Sequence, residues 1–216
     1  MAIEHAKIVE LDFGESRPVV STAKRLIDVV GASVLMVCSL PVLFVAAILI
    51  KLTSRGPVIY RQQRVGLNSA PFSIFKLRTM KLGAEDENGN LWPKENGVFF
   101  KVKKDPRLTP CGWLLRKFSI DELPQLVNVL KGEMSLVGPR PITEVECKKL
   151  GEAISNHRAL VLPGLTGLWQ VNGRNDTTEE ERVRYDIEYV DNWSMLVDLK
   201  IMLKTVPAIL TGKGAR

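Results

Sequence analysis

The longest apolar stretch of the chain runs from Val29 to Ile50 and contains no charged residue. Its length matches the ~20 apolar residues that an α-helix needs to cross a bilayer. It also lacks the small-residue cleavage site that follows the apolar part of a signal peptide. The pattern therefore predicts a membrane helix, which we place at residues 21–52.

Two features of this helix bear on its topology. Pro41 lies near its middle, and proline removes a backbone donor and kinks or breaks a helix. Both flanks are basic, although a spanning helix usually keeps its positive charges at the cytoplasmic end. The flanking cations are Lys24 and Arg25 before the run and Lys51, Arg55, Arg61 and Arg64 after it. A re-entrant helix that turns at Ser39–Pro41 and returns explains both features, while a simple spanning helix is the alternative.

A basic β-hairpin is predicted directly after the membrane helix. Val58–Val65 and Phe72–Met80 are β-prone, and the segment 66–69 between them supplies a turn. No Asp or Glu occurs from residue 51 to residue 80. The cations of the hairpin either form a patch against anionic lipid, at ~1 kcal/mol for each Lys or Arg, or in part hold phosphate groups.

An acidic pair, Asp121 and Glu122, marks the start of a predicted helix. The apolar spacing is helical from Leu123 onward, and Pro124 is tolerated only in the first turn of a helix. We therefore expect the helix to begin near Asp121. Ser119 and Glu122 also have the spacing of a capping box, so a purely structural role of the pair is one interpretation.

A chemical role is the other interpretation of this acidic pair. The N-terminal end of a helix favours both ionised carboxylates and phosphate groups, and Arg116 and Lys117 lie just upstream. Two carboxylates beside cations can hold Mg²⁺ and a diphosphate together. An ionised aspartate can also attack phosphorus and form an acyl phosphate.

Arg140 lies between two prolines in the segment Gly138–Pro141. A proline on each side fixes the backbone and disfavours helix at the arginine. The segment is either a loop that ends an element or a rigid support for an arginine that makes bidentate contacts to phosphate.

Composition excludes several classes of function. The formal net charge is +6 and the pI is about 9.3, which fits nucleic acid, an anionic membrane or an anionic substrate without choosing among them. The three cysteines are widely spaced, which argues against a disulfide framework or a zinc site. The chain has only two histidines, which argues against a hydrolase with a catalytic histidine. The chain has no zinc-protease, P-loop or Rossmann motif.

A series of short segments carries a resemblance to a known family. They are Lys24–Asp28, Gly56–Val58, Gln63–Gly66, Phe75–Met80, Asp105–Arg107, Asp121–Gln125, Met134–Pro141 and Pro163–Gln170. In this order they resemble the bacterial sugar transferases, also called monotopic polyprenyl-phosphate phosphoglycosyl transferases. The resemblance begins near residue 22 and continues to the end of the chain.

The resemblance implies an α+β fold that is mostly helical, with a re-entrant N-terminal membrane helix, a small β-hairpin and interfacial amphipathic helices. Residues 1–20 are expected to be a disordered tail. Residues 53–216 are expected to form a catalytic domain at the cytoplasmic face of the bacterial inner membrane. The expected partners are a UDP-sugar, a polyprenyl phosphate and membrane lipid, with no nucleic acid. The oligomeric state is left open, with a homodimer as one option.

The resemblance also implies a two-step reaction and assigns roles to residues. Asp121 attacks the sugar-bearing phosphate of the UDP-sugar and expels UMP, and the polyprenyl phosphate then takes the phosphosugar from Asp121. Glu122 assists, and Mg²⁺ held by Asp121 and Glu122 offsets the charge of the diphosphate. The predicted phosphate-binding residues are Arg116, Arg140, Arg78 and Lys76.

The sequence departs from the family pattern at the predicted helix break. The family usually breaks its membrane helix at an adjacent Ser-Pro, whereas here Leu40 separates Ser39 from Pro41. We expect a minimal catalytic unit without the large N-terminal region of longer relatives.

Two other functions compete with the transferase. A membrane-anchored adaptor that binds anionic lipid or nucleic acid is the first alternative, and a hydrolase of polyprenyl diphosphates is the second.

Overall fold

The computed structural model describes residues 21–84, 105–173 and 177–211, so the predicted tail at residues 1–20 lies outside the described residues. The fold is α+β and mostly helical, as predicted. The α-helices are α1 (Thr22–Thr53), α2 (Gly112–Lys117), α3 (Leu126–Lys131), α4 (Glu144–Leu150), α5 (Glu152–Arg158), α6 (Leu168–Asn172), α7 (Glu179–Asp191) and α8 (Met195–Thr211). The strands are β1 (Ile59–Val65), β2 (Pro71–Leu77), β3 (Ser135–Val137) and β4 (Gly164–Thr166), and 3₁₀ turns occur at Leu67–Ser69 and Ile120–Gln125.

Helix α1 contains the predicted apolar run and continues through Pro41. Ser21 caps its first turn, since the Ser21 hydroxyl accepts a hydrogen bond from the amide of Lys24 at 3.4 Å. Near the proline, the buried Ser39 hydroxyl donates to the carbonyl of Met36 at 2.9 Å. Within the part of the chain that the structure describes, α1 is the one helix long and apolar enough to cross a membrane.

Most of the apolar surface of α1 is exposed to the surroundings of the protein. Phe44 is 67% exposed and Val37 is 66% exposed, and Val30, Val34 and Leu40 are also exposed. A soluble protein rarely leaves a contiguous apolar surface of this kind uncovered. The exposure of α1 therefore indicates association with a membrane.

A narrow polar stripe at the start of α1 is buried against the rest of the protein. The ammonium group of Lys24 lies 2.5 Å from Asp198 of α8, and it donates to the carbonyl of Val137 at 3.1 Å. The Tyr189 hydroxyl and the Trp193 ring N–H also donate to Asp198, at 2.8 Å and 3.2 Å. Three donors offset the desolvation penalty of the buried Asp198 carboxylate. This network therefore attaches α1 to α8.

Asp28 connects α1 to strand β3. One of its carboxylate oxygens accepts hydrogen bonds from the Ser135 hydroxyl at 3.0 Å and from the amide of Leu136 at 2.9 Å. Asp28 is only 3% exposed, and breaking a buried charged contact of this kind is costly. The first turns of the membrane helix thus fix the strand that leads into Gly138–Pro141.

The opposite end of α1 rests on the same globular body. Ala46 and Ile50 are buried in an apolar cluster with Leu77 of β2 and Leu115 of α2. Arg78 closes the end of the helix, since its guanidinium donates to the carbonyl of Ser54 at 3.0 Å and also to the carbonyl of Arg55. Both ends of α1 are therefore held by one domain.

The predicted β-hairpin is confirmed. Strands β1 and β2 pair antiparallel, with Ile59 opposite Leu77 and Val65 opposite Pro71. The turn between them places Asn68 and Ser69 in the left-handed region, with φ of 51° and 60°. Asparagine adopts this conformation more readily than most residues, which fits the turn predicted at residues 66–69.

A second, parallel pair of strands brings two family motifs together. Strand β3 pairs with β4, Ser135 opposite Gly164 and Val137 opposite Thr166, and the connection between them contains α4 and α5. Gly164 lies so close to Gly138 that a Cβ added there would come within 2.0 Å of the Gly138 nitrogen. Glycine at this position is therefore required for the contact between the two loops.

Two segments beyond α1 also expose apolar side chains. Helix α8 carries an exposed apolar stripe at Leu196, Leu199, Leu203, Val206 and Leu210. Its spacing of three and four residues is that of one helix face. Trp113 and Leu114 of α2 are exposed as well. Helix α8 is therefore amphipathic, and its position at the membrane interface remains a prediction.

Candidate active site

The acidic pair lies on a 3₁₀ turn and not on the predicted α-helix start. The turn spans Ile120–Gln125 with Pro124 inside it, and α3 follows directly. Pro124 has no N–H for an α-helical hydrogen bond, which favours the tighter turn here. Ser119 has a left-handed backbone, with φ of 54°, and makes no side-chain capping hydrogen bond to the turn. The capping-box interpretation of Ser119 and Glu122 is therefore wrong.

Glu122 joins three elements through its carboxylate. One oxygen accepts hydrogen bonds from the ammonium of Lys76 on β2, at 2.9 Å, and from the guanidinium of Arg140, at 3.2 Å. Glu122 comes from the 3₁₀ turn, and Arg140 follows β3. The structure thus brings together three of the residues that the sequence predicted to act at one site.

Asp121 is the adjacent carboxylate and is 7% exposed. Its negative charge acts to raise the pKa of Arg116, Lys76 and Arg140, so all three cations are close enough to interact with it. Three cations thus surround a carboxylate that can attack phosphorus or bind a metal ion.

The two cations bonded to Glu122 differ in their acid–base behaviour. Burial lowers the pKa of Lys76 below that of an ordinary lysine, and the opposing effect of Glu122 does not fully compensate. Burial acts in the same direction on Arg140, but Glu122, Glu146 and Asp121 outweigh it, so the pKa of Arg140 is raised. Lys76 is therefore the member of the cluster that loses its charge first as the pH rises.

Arg116 and Arg78, the other predicted phosphate ligands, lie in different surroundings. The Nε of Arg116 donates to the Thr79 hydroxyl at 3.0 Å, and its charge interacts with Asp121. Arg78 instead donates to Ser54 and Arg55 at the end of α1. The structure places Arg116 with the acidic pair, whereas it gives Arg78 a role as the C-terminal cap of the membrane helix.

The loop that carries Arg140 is supported from behind. The guanidinium of Arg140 lies 6.0 Å from the centre of the Trp169 ring. Its backbone carbonyl accepts a hydrogen bond from Arg158 at 3.0 Å, and Arg158 in turn pairs with the buried Asp186 at 2.6 Å. These contacts and the two prolines restrict the conformations of Arg140. Little conformational entropy is therefore lost when its guanidinium binds a phosphate.

Three further polar side chains line the same pocket and were not predicted as site residues. They are Arg64, Gln125 and Gln170, and the pocket is also lined by Ile74, Lys76, Glu122, Arg140, Pro141, Gly164 and Leu165. Arg64 is held by Glu146 at 3.0 Å. Each of the three lies within a segment that matches the family. An amide side chain has no signature in sequence that marks it as a pocket residue, and no local pattern separates Arg64 from the other cations of the hairpin.

The acidic pair is the feature of this site that could hold a divalent cation. Among the described residues, no group of three or more His, Cys, Asp or Glu side chains could hold a metal ion. Mg²⁺ usually takes one or two protein carboxylates and completes its shell with water and substrate phosphates. The neighbouring carboxylates Asp121 and Glu122 therefore fit Mg²⁺ that binds together with a diphosphate.

The arrangement suits one kind of chemistry. An aspartate lies beside a glutamate, and cations from several elements surround the pair. Such a cluster can bind an anionic phosphate group and stabilise charge that develops during its transfer. Among the described residues that line the pocket there is no histidine or cysteine, and Glu122 is the one carboxylate. Asp121 precedes Glu122 on the same 3₁₀ turn, so these two carboxylates are the candidate reactive groups.

Comparison with known proteins agrees with this chemistry. The model of a family described as bacterial sugar transferase matches residues 19–212. The chain is 42% identical over 208 residues to the exopolysaccharide production protein ExoY of Rhizobium meliloti, and the match covers 94% of this chain and 92% of that protein. These matches confirm the resemblance found in the sequence motifs.

Two other relatives have names that state an activity. The chain is 44% identical over 206 residues to the UDP-glucose:undecaprenyl-phosphate glucose-1-phosphate transferase of Caulobacter vibrioides, covering 92% of this chain and 74% of the relative. It is 41% identical over 196 residues to the undecaprenyl-phosphate galactose phosphotransferase of Salmonella typhimurium, covering 83% of this chain and 40% of that protein.

Proposed function

Because the chain belongs to the bacterial sugar transferase family, we propose that it transfers a phosphosugar from a UDP-sugar to a polyprenyl phosphate such as undecaprenyl phosphate. UMP is the second product, and the reaction is a membrane step in the assembly of a surface glycan. The observation that carries this proposal is the Asp121–Glu122 pair, whose second carboxylate is bonded to both Lys76 and Arg140. The names of the relatives support the same substrates.

In the first step, an oxygen of the Asp121 carboxylate attacks the sugar-bearing phosphorus of the UDP-sugar. A new P–O bond to Asp121 forms as the bridging P–O bond breaks, and UMP leaves with the electron pair. The product is an acyl phosphate that carries the sugar. Lys76, Arg116 and Arg140 stabilise the negative charge on the phosphate oxygens during the displacement.

In the second step, a phosphate oxygen of the polyprenyl phosphate attacks the same phosphorus. The bond to Asp121 breaks, and the aspartate is restored as a carboxylate. Glu122 is the group beside the reacting centre that can accept the proton of a protonated lipid phosphate. Its contacts with Lys76 and Arg140 fix the orientation of its carboxylate, so it is positioned for this role without moving.

Asp121 and Glu122 would hold Mg²⁺ together with the diphosphate of the substrate. When bound there, Mg²⁺ supplies positive charge that offsets the charge of the diphosphate and of the leaving UMP. Lys76 and Arg140 also supply positive charge, and in addition they orient the carboxylate of Glu122.

We also propose that α1 is re-entrant and that the active site faces the cytoplasm at the inner membrane. Lys24 and Ile50 lie at opposite ends of α1, about 39 Å apart along a straight helix at 1.5 Å per residue. A spanning helix would place its ends on opposite sides of a hydrocarbon core that is ~30 Å thick. Both ends contact the same globular body instead, which supports a helix that enters and leaves on one side.

Formation of a homodimer stays a prediction.

The topology can be tested by cysteine labelling in intact bacterial cells. We expect single cysteines at Arg25 and at Arg55, in a variant without the three native cysteines, to resist a membrane-impermeant reagent and to react after the cells are permeabilised. Pro41→Leu should shift the chain toward a spanning form and expose one of the two positions. Reaction of either cysteine from the periplasm in the Pro41 protein would contradict the proposal.

The function and the role of Asp121 can be tested together with purified protein. With a UDP-sugar alone, the wild type should release at most one UMP per chain. Release of UMP over many turnovers should also require undecaprenyl phosphate. Asp121→Asn keeps the size of the side chain but replaces the carboxylate with a poor nucleophile, so we expect a loss of turnover of at least about 10³-fold with normal folding.

The exposed residue Glu152 offers a matched control, since Glu152→Gln removes one carboxylate outside the pocket. This variant should keep wild-type turnover. Near-normal turnover of Asp121→Asn would rule out Asp121 as the nucleophile. Release of phosphate from undecaprenyl diphosphate, with no UMP formed from a UDP-sugar, would point to the hydrolase alternative.

The lowered pKa of Lys76 predicts a pH dependence. The protonated amine holds Glu122 and the phosphates, so activity should fall as the pH rises through the pKa of Lys76, which lies below the ordinary lysine value. Lys76→Arg keeps the charge at higher pH. We therefore expect the alkaline limb of its kcat/KM profile to move to higher pH, even if its maximal rate is lower. An unchanged alkaline limb would show that another group controls it.

A further inference from the structure

The pocket beside Asp121 and Glu122 contains hydrogen-bonding groups that the phosphate chemistry does not use. The amide nitrogen Nε2 of Gln125 is buried and has no hydrogen-bond partner among the described residues, and the same is true of the amide oxygen Oε1 of Gln170. Gln125 is 2% exposed. Both residues line the pocket that Glu122, Lys76 and Arg140 also line.

Buried amide groups of this kind are costly unless a partner satisfies them. Leaving one unpaired costs about 1–3 kcal/mol, and most buried polar groups in native proteins are paired. Two amide atoms that the described residues leave unpaired in one pocket therefore need polar partners from outside the chain. The other orphaned atom in the pocket is Nε of Arg64.

The local backbone explains why these two residues lie at one pocket. A 3₁₀ turn has three residues per turn, so the side chains of Glu122 and Gln125 lie on the same face. Gln170 lies in α6, and a Cβ added to Gly167 would come within 2.6 Å of its Oε1. Glycine at 167 therefore leaves the space that the Gln170 amide occupies.

The chemistry of the two atoms restricts the ligand group. Phosphate oxygens can accept a hydrogen bond from Gln125, but ionised phosphate has no hydrogen to donate to Gln170 Oε1. A hydroxyl group can do both, because it donates one hydrogen bond and accepts others. A ligand hydroxyl, like a water molecule, therefore matches both amide atoms, whereas an ionised phosphate matches only Gln125.

We propose that Gln125 and Gln170 form the subsite for the sugar that is transferred, with Gln125 donating to and Gln170 accepting from its ring hydroxyl groups. This inference rests on the proposed function and adds the recognition of the sugar to it. In a UDP-sugar, the sugar is attached directly to the phosphate that reacts with Asp121, whereas ribose and uracil lie beyond the second phosphate. Gln125 is on the same short turn as Asp121, so the sugar is the hydroxyl-bearing part within reach.

The subsite can be tested by pairing side-chain changes with changes in the sugar. Gln125→Met and Gln170→Met keep the approximate length of the side chain and remove the amide. Gln63→Met is the matched control, since Gln63 is exposed on β1 outside the pocket. The substrates are UDP-glucose and UDP-galactose, followed by deoxy forms of the sugar that the wild type accepts, each of which lacks one hydroxyl.

We expect each pocket variant to lower kcat/KM by about tenfold or more, since an uncharged hydrogen bond to a substrate hydroxyl contributes at least this much when its loss leaves a buried group unpaired. One deoxy sugar should show a similar loss with the wild type and little further loss with the variant. Gln63→Met should behave as the wild type with every sugar. Equal losses of the variants on all sugars would overturn the proposal, because they would indicate packing and not recognition.

A binding measurement separates failure of this inference from failure of the proposed function. In the Asp121→Asn protein, which retains the pocket, the affinity for the UDP-sugar is compared with that for UDP. The gain in affinity from the sugar should fall about tenfold in the Gln125→Met and Gln170→Met forms of that protein. An unchanged gain, or an equal loss of affinity for UDP itself, would assign the amides to structure or to the nucleotide and overturn the sugar subsite, whether or not the enzyme turns over.

Discussion

Two buried charges at the start of α1 attach this helix to the globular domain. The helix exposes an apolar surface along most of its length, yet Lys24 and Asp28 are inserted into the domain, where they bond to Asp198 and to strand β3. Because buried charges are tolerated only with such partners, these contacts fix how the membrane helix meets the domain. Asp28 in particular holds the strand that ends at Gly138–Pro141.

The geometry of the active site follows from this attachment. Strand β3 delivers Arg140, β2 delivers Lys76, and the 3₁₀ turn between α2 and α3 delivers Asp121 and Glu122. The three elements meet at the carboxylate of Glu122, which forms ion pairs with Lys76 and Arg140. Asp121 is the second carboxylate of the site. Arg78, at the end of β2, ties the same hairpin to the far end of α1. The site is thus fixed to the membrane helix at both of its ends.

The sequence predicted those parts that depend on local patterns. The apolar run of α1 and the β-hairpin follow from hydrophobicity and β-propensity. The α-helix expected to start near Asp121 begins only at Leu126, after a 3₁₀ turn. The clustering of Lys76 with Glu122 and Arg140 was predicted only through the family resemblance, because no local pattern relates residues so far apart in the chain.

Other features could not be predicted because they depend on tertiary packing. The capping box at Ser119 has the right spacing but is not formed, since the Glu122 side chain is drawn to two cations from other elements. The cap that Arg78 provides for α1 and the parallel pairing of β3 with β4 are long-range contacts of the same kind. The amides of Gln125 and Gln170 carry no charge or periodicity, and only their burial in a shared pocket identifies them.

In the proposed reaction, Asp121 carries the phosphosugar from one substrate to the other. The intermediate can be detected by the intact mass of the wild-type chain after incubation with UDP-glucose or UDP-galactose and Mg²⁺, without a lipid acceptor. We expect a mass increase of one phosphosugar per chain, located on Asp121 by peptide mapping and lost when undecaprenyl phosphate is added. An enzyme that transfers the sugar normally, but shows no adduct in rapidly quenched samples, would contradict this mechanism.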